Sequence, residues 1–394
     1  MTRSNRRHRA LLFAVVLLDL VGFGIIIPIL PFVAPKLGAS EFDIALIIAS
    51  YSLFAGVVGP WWGRLSDRFG RKPILMICTS GSALAYAALA FADHLLTIYL
   101  ARILAGIVAG NFAVASAIMT DITAPTERAK GMGLIGAAFG MGLVLGPVMG
   151  GLLSTPDGGF TLPCLMASIM SVLAVLCAWV FLPESNRSHS GERNAHQKTR
   201  DSLPALLRAH RSRLLLLQFV LHTSCVSAAT YLFPLWVSAL LGWGAREVGI
   251  IYGIQGAIMA LTQGLFLSFL VQFFGEVRLL RICVSLFFAG FFVAVFATDA
   301  VTMVGSALVS LSGATLCMPV LNSLLSQRAP PEQTGRFMGA ASSAAAWGRV
   351  LGPVLAGLLL SGFGFAPTWA VFTGFVGVYV GWAFSPAPTR SRAG

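Results

Sequence analysis

Apolar runs of roughly 20 residues, the length that crosses a hydrocarbon core as a helix, recur from one end of this 394-residue chain to the other. No other feature restricts the fold as strongly. Backbone N–H and C=O groups in lipid find no water, so such runs must be helices that satisfy their own hydrogen bonds. The pattern predicts twelve spans, near residues 11–33, 44–62, 73–92, 95–119, 132–153, 160–182, 214–240, 247–273, 279–298, 301–326, 336–360 and 366–386. With 57% of residues hydrophobic and a mean hydropathy of +0.82, a soluble domain could not hide the apolar surface. The predicted class is an all-α polytopic membrane protein. One long polar connection bisects it, which divides the chain into a six-helix unit at 1–182, a linker at 183–213 and a second six-helix unit at 214–394.

The net charge of +12 could suggest a nucleic-acid partner, but its placement argues otherwise. Of the 27 Lys and Arg, 23 fall in the termini or the even-numbered connections, two (Lys36, Arg246) lie on the opposite side, and two (Arg102, Arg349) lie inside spans. This is the positive-inside asymmetry, which places both termini and the linker in the cytoplasm. The basic surface also suits anionic lipid. Met1 to Arg9 and the following run read as a first helix rather than a cleaved leader, because the run is long and contains Asp19. The six cysteines lie within spans and form no CxxC pair, so they read as packing residues.

The two halves echo each other. Pro125, Met132, Gly133, Gly142, Gly146, Pro147 and Gly151 have counterparts at Pro331, Met338, Gly339, Gly348, Gly352, Pro353 and Gly357, each 206 positions on. Repeats of this size imply a carrier whose ligand sits between two related bundles.

Within that frame a few residues carry chemistry. Asp19 is the one acid placed well within a span, and a carboxylate at the bilayer centre costs about 2.5–3.5 kcal/mol on insertion scales. Low dielectric favours its neutral form, so a carboxyl that is neutral when sequestered and ionised when wet can carry a proton. Arg102, in the fourth span, is its expected counter-charge. Between spans two and three lies Gly63-Arg64-Leu65-Ser66-Asp67-Arg68-Phe69-Gly70-Arg71-Lys72-Pro73, in which five of eleven residues ionise. Its basic residues can pair with Asp121 or Glu127, next to Arg128. A degraded copy, Leu270, Phe274 and Gly275, replaces Asp67 with Gln272. In the fifth span Gly142, Gly146, Pro147, Gly150 and Gly151 stack small residues at i, i+4 and allow close helix contact and a kink.

Arg349 has no acid within its own half; it can snorkel, bond carbonyls or meet an anionic group. Cavity-lining candidates are Asn111, Gln218, His222, Tyr231, Gln255, Gln263, Asn322 and Trp347, with Phe23, Phe54, Phe112 and Phe139 as walls. His222, the one histidine within a span, is an auxiliary titrating candidate. An enzyme would need convergent catalytic groups within the spans, and one acid and one histidine do not supply them.

The 63–73 loop resembles the signature loop of the major facilitator superfamily. With Asp19, Gly24 to Pro31, Tyr99 to Gly106 and Gly140 to Gly151, the chain resembles its twelve-span drug:proton antiporters of the tetracycline-efflux type. The resemblance implies that the loop latches the cytoplasmic side in one state, with Arg336 and its neighbours at the head of the eleventh helix as partners. It implies that the Gly142–Gly151 string belongs to an exporting antiporter. The departures point away from a tetracycline–metal chelate: Ala85 stands where an acid of span three is expected, and 279–298 contains none. The expected protein is thus a proton-coupled exporter of small lipophilic or amphipathic compounds, monomeric, in the cell inner membrane, without metal or cofactor. A proton symporter or carrier of a metabolite such as a sugar or lipid is the alternative. No GxxxxGK[ST] segment offers direct ATP drive.

Overall fold

A computed structural model describes residues 3–123, 127–155, 159–182, 184, 210–328 and 334–385, and no strand occurs among them. Eleven helical stretches are long and apolar enough to cross a membrane: α1 (Arg7–Leu37), α2 (Glu41–Phe69), α3 (Arg71–Ala90), α4 (Leu95–Asp121), α5 (Gly131–Leu153), α6 (Thr161–Phe181), α7 (Leu216–Leu241), α8 (Ala245–Phe274), α9 (Glu276–Phe296), α10 (Ala300–Leu325) and α11 (Met338–Phe363). A further helix, α12 (Phe365–Phe384), has 20 residues, enough for about 30 Å at 1.5 Å per residue. The twelve expected spans are therefore present. The expected linker, 183–213, lies mostly outside the described residues.

Three spans are interrupted. The regular helix of α1 ends at Ile26, beside Pro28, and resumes as a short turn of helix at Leu30–Val33. Span α4 is two helices, Leu95–Ile107 and Asn111–Asp121, joined across a Gly-containing break. Span α8 contains one wider turn at Thr262–Phe266. Tight turns separate α2 from α3 and α8 from α9 at Gly70 (φ +104°) and Gly275 (φ +73°), a conformation that L side chains rarely adopt. These two glycines are 205 positions apart, so the repeat read from the sequence is also a repeat of backbone shape. The helix starts of α2 and α8 match as well. Asp43 accepts from the Ser40 backbone N–H at 2.9 Å, and Glu247 accepts from that of Gly244 at 2.9 Å. In the turn before α10, Thr302 and nearby backbone N–H groups hold the Asp299 carboxyl below the usual carboxylate range.

Packing follows the glycines. Span α1 lies against α5, where a Cβ on Gly146 would stand 2.5 Å from the Gly24 Cα, and one on Gly142 2.6 Å from the Leu20 Cβ. Backbones this close exist because side chains are missing, from both helices at Gly146 and Gly24 and from α5 at Gly142. Contacts between the two halves run mainly through α2 with α11 and α5 with α8. At the end away from the termini these pairs are shut. A Cβ on Gly151 would meet Ala245 O at 2.7 Å, one on Gly357 would meet the Ala45 Cβ at 2.6 Å, and Gly249 abuts the Pro147 carbonyl. The Tyr231 hydroxyl of α7 donates to Glu41 O of α2 at 2.7 Å. At the basic end, Gly59, Gly63, Gly133, Gly136, Gly140, Gly264 and Gly339, on the same four spans, have nothing within 4 Å of a built Cβ. The bundle is closed at the far end and open at the basic end.

Candidate functional site

A cavity of about 480 Å³ lies between the halves and draws its lining from α1, α2, α4, α5, α7, α8, α10 and α11. Its polar groups are Tyr51, Ser52, Arg102, His222, Thr223, Ser227, Thr230, Tyr231, Gln263, Thr315 and Arg349. Phe23, Phe139, Met259, Met318 and aliphatic residues form the rest. Among the described residues Arg102 and Arg349 reach this wall and no acidic residue does.

The break in α4 organises the first half. Gly106 and Gly110 let α2 approach until built Cβ atoms would stand 2.6 Å from Tyr51 O and from the Trp62 ring. The Trp62 indole then donates to the Ile107 carbonyl, freed by the break, at 2.6 Å. Before the break, Arg102 places its guanidinium over the Tyr51 ring, 4.6 Å from the centroid. After it, the Asn111 Nδ2 donates to Asp19 Oδ2 at 2.8 Å and lies 3.4 Å from the Ser82 hydroxyl.

The expected Asp19–Arg102 ion pair is not made. Arg102 lies before the break in α4 and stands over Tyr51, while Asn111 lies after it, and Asp19 meets the amide. Asp19 is buried behind the cavity wall, with Oδ1 lacking a partner, as do Asn111 Oδ1 and Arg102 Nε.

Of the expected cavity residues, Phe23, Phe139, His222, Tyr231, Gln263 and Arg349 line it. Phe54, Asn111, Phe112, Gln218, Gln255, Asn322 and Trp347 do not. Asn111 is turned to Asp19; Phe54 packs on Gly106; Phe112 is exposed and stacks edge-on against Phe139 at 5.8 Å. Gln218 and Gln255 are buried with unpartnered amide atoms, and Trp347 is exposed. Helical periodicity gives a residue's neighbours on one helix but not which helix it faces. Tyr51, Ser52, Thr230 and Thr315 were missed, although Ser50-Tyr51-Ser52 is a polar cluster inside an apolar run. His222 lies against Phe287 and Tyr379 at 5.7 and 5.9 Å between centroids. The Arg349 backbone carbonyl accepts from Ser227 at 3.2 Å, while its guanidinium faces the cavity.

Among the described residues the charged loop bonds to other parts of the first half. Arg71 pairs with Asp67 at 2.6 Å and Asp121 at 3.1 Å and donates to the Ser66 hydroxyl at 2.7 Å. Glu184 accepts from the backbone N–H groups of Arg71 and Lys72 at 2.9 and 3.2 Å, and Lys72 Nζ donates to Trp179 O at 2.7 Å. Arg68 lies over Phe69, and Gly70 makes the turn. Arg9 pairs with Glu127 at 3.2 Å; Arg64 and Arg128 are exposed. Glu184, Ser66 and Arg9 complete a cluster that sequence spacing had only partly indicated. The side chain of the expected partner Arg336 lies outside the described residues. In the fifth span, Gly142, Gly146 and Gly150 face α1, while Gly151 and the Pro147 carbonyl face α8.

Comparison with known proteins places this geometry. Residues 12–341 and 240–394 match the family model described as Major Facilitator Superfamily. The chain is 29% identical over 347 residues to tetracycline resistance protein, class B, of Escherichia coli, covering 86% of this chain and 85% of that one. It is 25% identical to multidrug resistance protein 2 of Bacillus subtilis (strain 168), covering 86% and 85%. Among solved structures, an inward-facing, unoccupied bacterial homolog of the human lysosomal transporter Spinster superposes with a TM-score of 0.80 at 15% identity, covering 98% and 97%.

Proposed function

The chain belongs to the Major Facilitator Superfamily, and from that premise we propose that it exports small lipophilic or amphipathic compounds by proton-coupled antiport. The two six-helix units, 1–182 and 214–394, rock about the central cavity and expose it to each membrane face in turn. The basic end faces the cytoplasm of a cell inner membrane, by the positive-inside asymmetry. The cavity as seen here is then open for loading from the cytoplasm. The names of its relatives, resistance proteins for tetracycline and for multiple drugs, favour outward transport of antibiotic-like cargo.

One observation carries the coupling: Asp19, the one buried carboxyl among the described residues, lies behind the cavity wall with a single hydrogen-bond donor. Protonated, it is compatible with its apolar shell; ionised, it draws water or a cation. Opening the bundle at one end and then the other hydrates it alternately, and this converts a proton gradient into a bias between states. The cavity selects cargo by acceptor chemistry. Arg102 and Arg349, with no opposing carboxylate in the lining, disfavour organic cations and suit lipophilic compounds with carbonyl or similar oxygen acceptors. A metal–tetracycline chelate would meet no acid there. The protein works as a monomer, without metal or cofactor, with its basic surface against anionic lipid.

The test uses purified protein in proteoliposomes with an imposed pH gradient. Cargo should move opposite to protons, and Asp19→Asn should cut proton-driven flux at least tenfold while leaving cargo binding measurable. Cargo moving with the proton would establish symport instead. Undiminished gradient-driven flux in Asp19→Asn would sink the coupling role.

A further inference from the structure

The buried Asp19–Asn111 pair beside the cavity contains two oxygens that lack any hydrogen-bond partner. Asp19 Oδ2 accepts from Asn111 Nδ2 at 2.8 Å, while Asp19 Oδ1 and Asn111 Oδ1 are both buried and unpartnered. Each is an acceptor when the acid is ionised, so neither can serve the other. A carboxyl and a carboxamide are planar groups of the same shape, and together they can close a ring of two parallel hydrogen bonds. The amide N–H then donates to one acid oxygen, and the acid O–H donates to the amide oxygen.

Resting on the proton-coupled reading above, we propose that Asn111 is the positioning residue that reads the protonation state of Asp19, through an acid–amide ring closed by a proton on Oδ1. Uptake places the proton on Oδ1, and it donates to Asn111 Oδ1, so both buried acceptors are paired. Release returns the proton to water from the open end. It leaves both buried oxygens without a donor, which costs far more than the paired state. The ring opens and the carboxylate is free to leave the amide.

Asn111 is carried on the second piece of α4, directly after the break that Gly110 and Trp62 shape, so opening the ring pulls on a joint in that span. Every neighbouring element bears on the site. The charged or titratable groups near it are Tyr51 on α2, Cys78 and Tyr86 on α3 and Arg102 on α4. The α6 side presents the Ser171 hydroxyl next to Gly22, and α5 presents Gly142 against Leu20. Among the described residues none of these is a second carboxyl, and Asn111 alone places a polar atom within bonding distance of Asp19.

Infrared difference spectroscopy on the full protein in lipid tests this. The C=O stretch of the neutral Asp19 acid is identified by its loss in Asp19→Asn. It should lie in the hydrogen-bonded range in the natural protein and move to higher frequency in Asn111→Leu. Proton-driven flux should fall about tenfold in the same variant. In case Asn111→Leu misfolds, isotope-labelled asparagine in the unsubstituted chain gives a second readout. One amide C=O band should shift with pH, and the shift should vanish in Asp19→Asn. An Asp19 band that titrates but ignores Asn111→Leu, or an asparagine band that ignores pH, overturns the ring and leaves proton coupling standing. An Asp19 band that never titrates overturns both.

Discussion

The two ends of the bundle are closed by different physics. At the far end the halves meet through missing side chains: Gly151 against Ala245, Gly249 against the Pro147 carbonyl and Gly357 against Ala45. At the basic end the groups available are ions, and among the described residues Arg71 pairs with Asp67 and Asp121 of its own half. A glycine seam depends on short-range contact between backbones and fails abruptly when a few tenths of an ångström are lost. Ions in water exchange partners at little cost. The comparison suggests a shape-defined gate at one end and an electrostatic, re-pairable one at the other.

Substitutions can break that comparison. The largest effect should come from Gly146→Leu, which sits at the seam within the first half. Its side chain would collide with Gly24 of α1, and overpacking of about 3 kcal/mol should show as lost folded yield and a lower melting temperature in detergent. Gly249→Val lies between the halves instead, and should leave the melting temperature nearly unchanged. It should hold the far end ajar, raise labelling of a cysteine placed there and lower flux at least tenfold. If both variants behaved alike, the distinction between seams within and between halves would be wrong. Next comes Arg71→Gln, which removes two ion pairs and the bond to Ser66 from a partly exposed cluster. Solvent screening limits the loss to about 1 kcal/mol, and chemical denaturation should record it. The smallest is Tyr231→Phe, which deletes one hydrogen bond to Glu41 O across the far end. It should shift the balance toward the far-end-open state by about 1 kcal/mol, a roughly fivefold change in far-end labelling, with no change in melting temperature.

The fold was largely legible because its signals are local. Twelve apolar runs, a basic bias on alternate connections and seven residues repeated at a spacing of 206 each register without knowledge of any partner helix. The candidate site residues were legible only as types. Asp19 stood out because an acid in an apolar run is costly wherever it points. Its partner did not: charge alone nominated Arg102, and the α4 break handed Asp19 to Asn111 while Arg102 took the Tyr51 ring. The cavity wall was harder still. Phe23 and Phe139 reach it, whereas Phe54, equally apolar, packs on Gly106, and Phe112 is exposed beside Phe139.

By itself the sequence determined that this chain crosses a membrane as two related sets of helices, with one acidic group buried at depth. Hydrophobic length, charge sidedness and desolvation cost act on each segment separately and need no three-dimensional context. Tertiary structure decided which polar atoms meet, which end of the bundle is shut and which side chains face the shared cavity. Those outcomes depend on the rotation and depth of one helix against another, set by glycine contacts and helix breaks whose consequences appear only once the spans are packed.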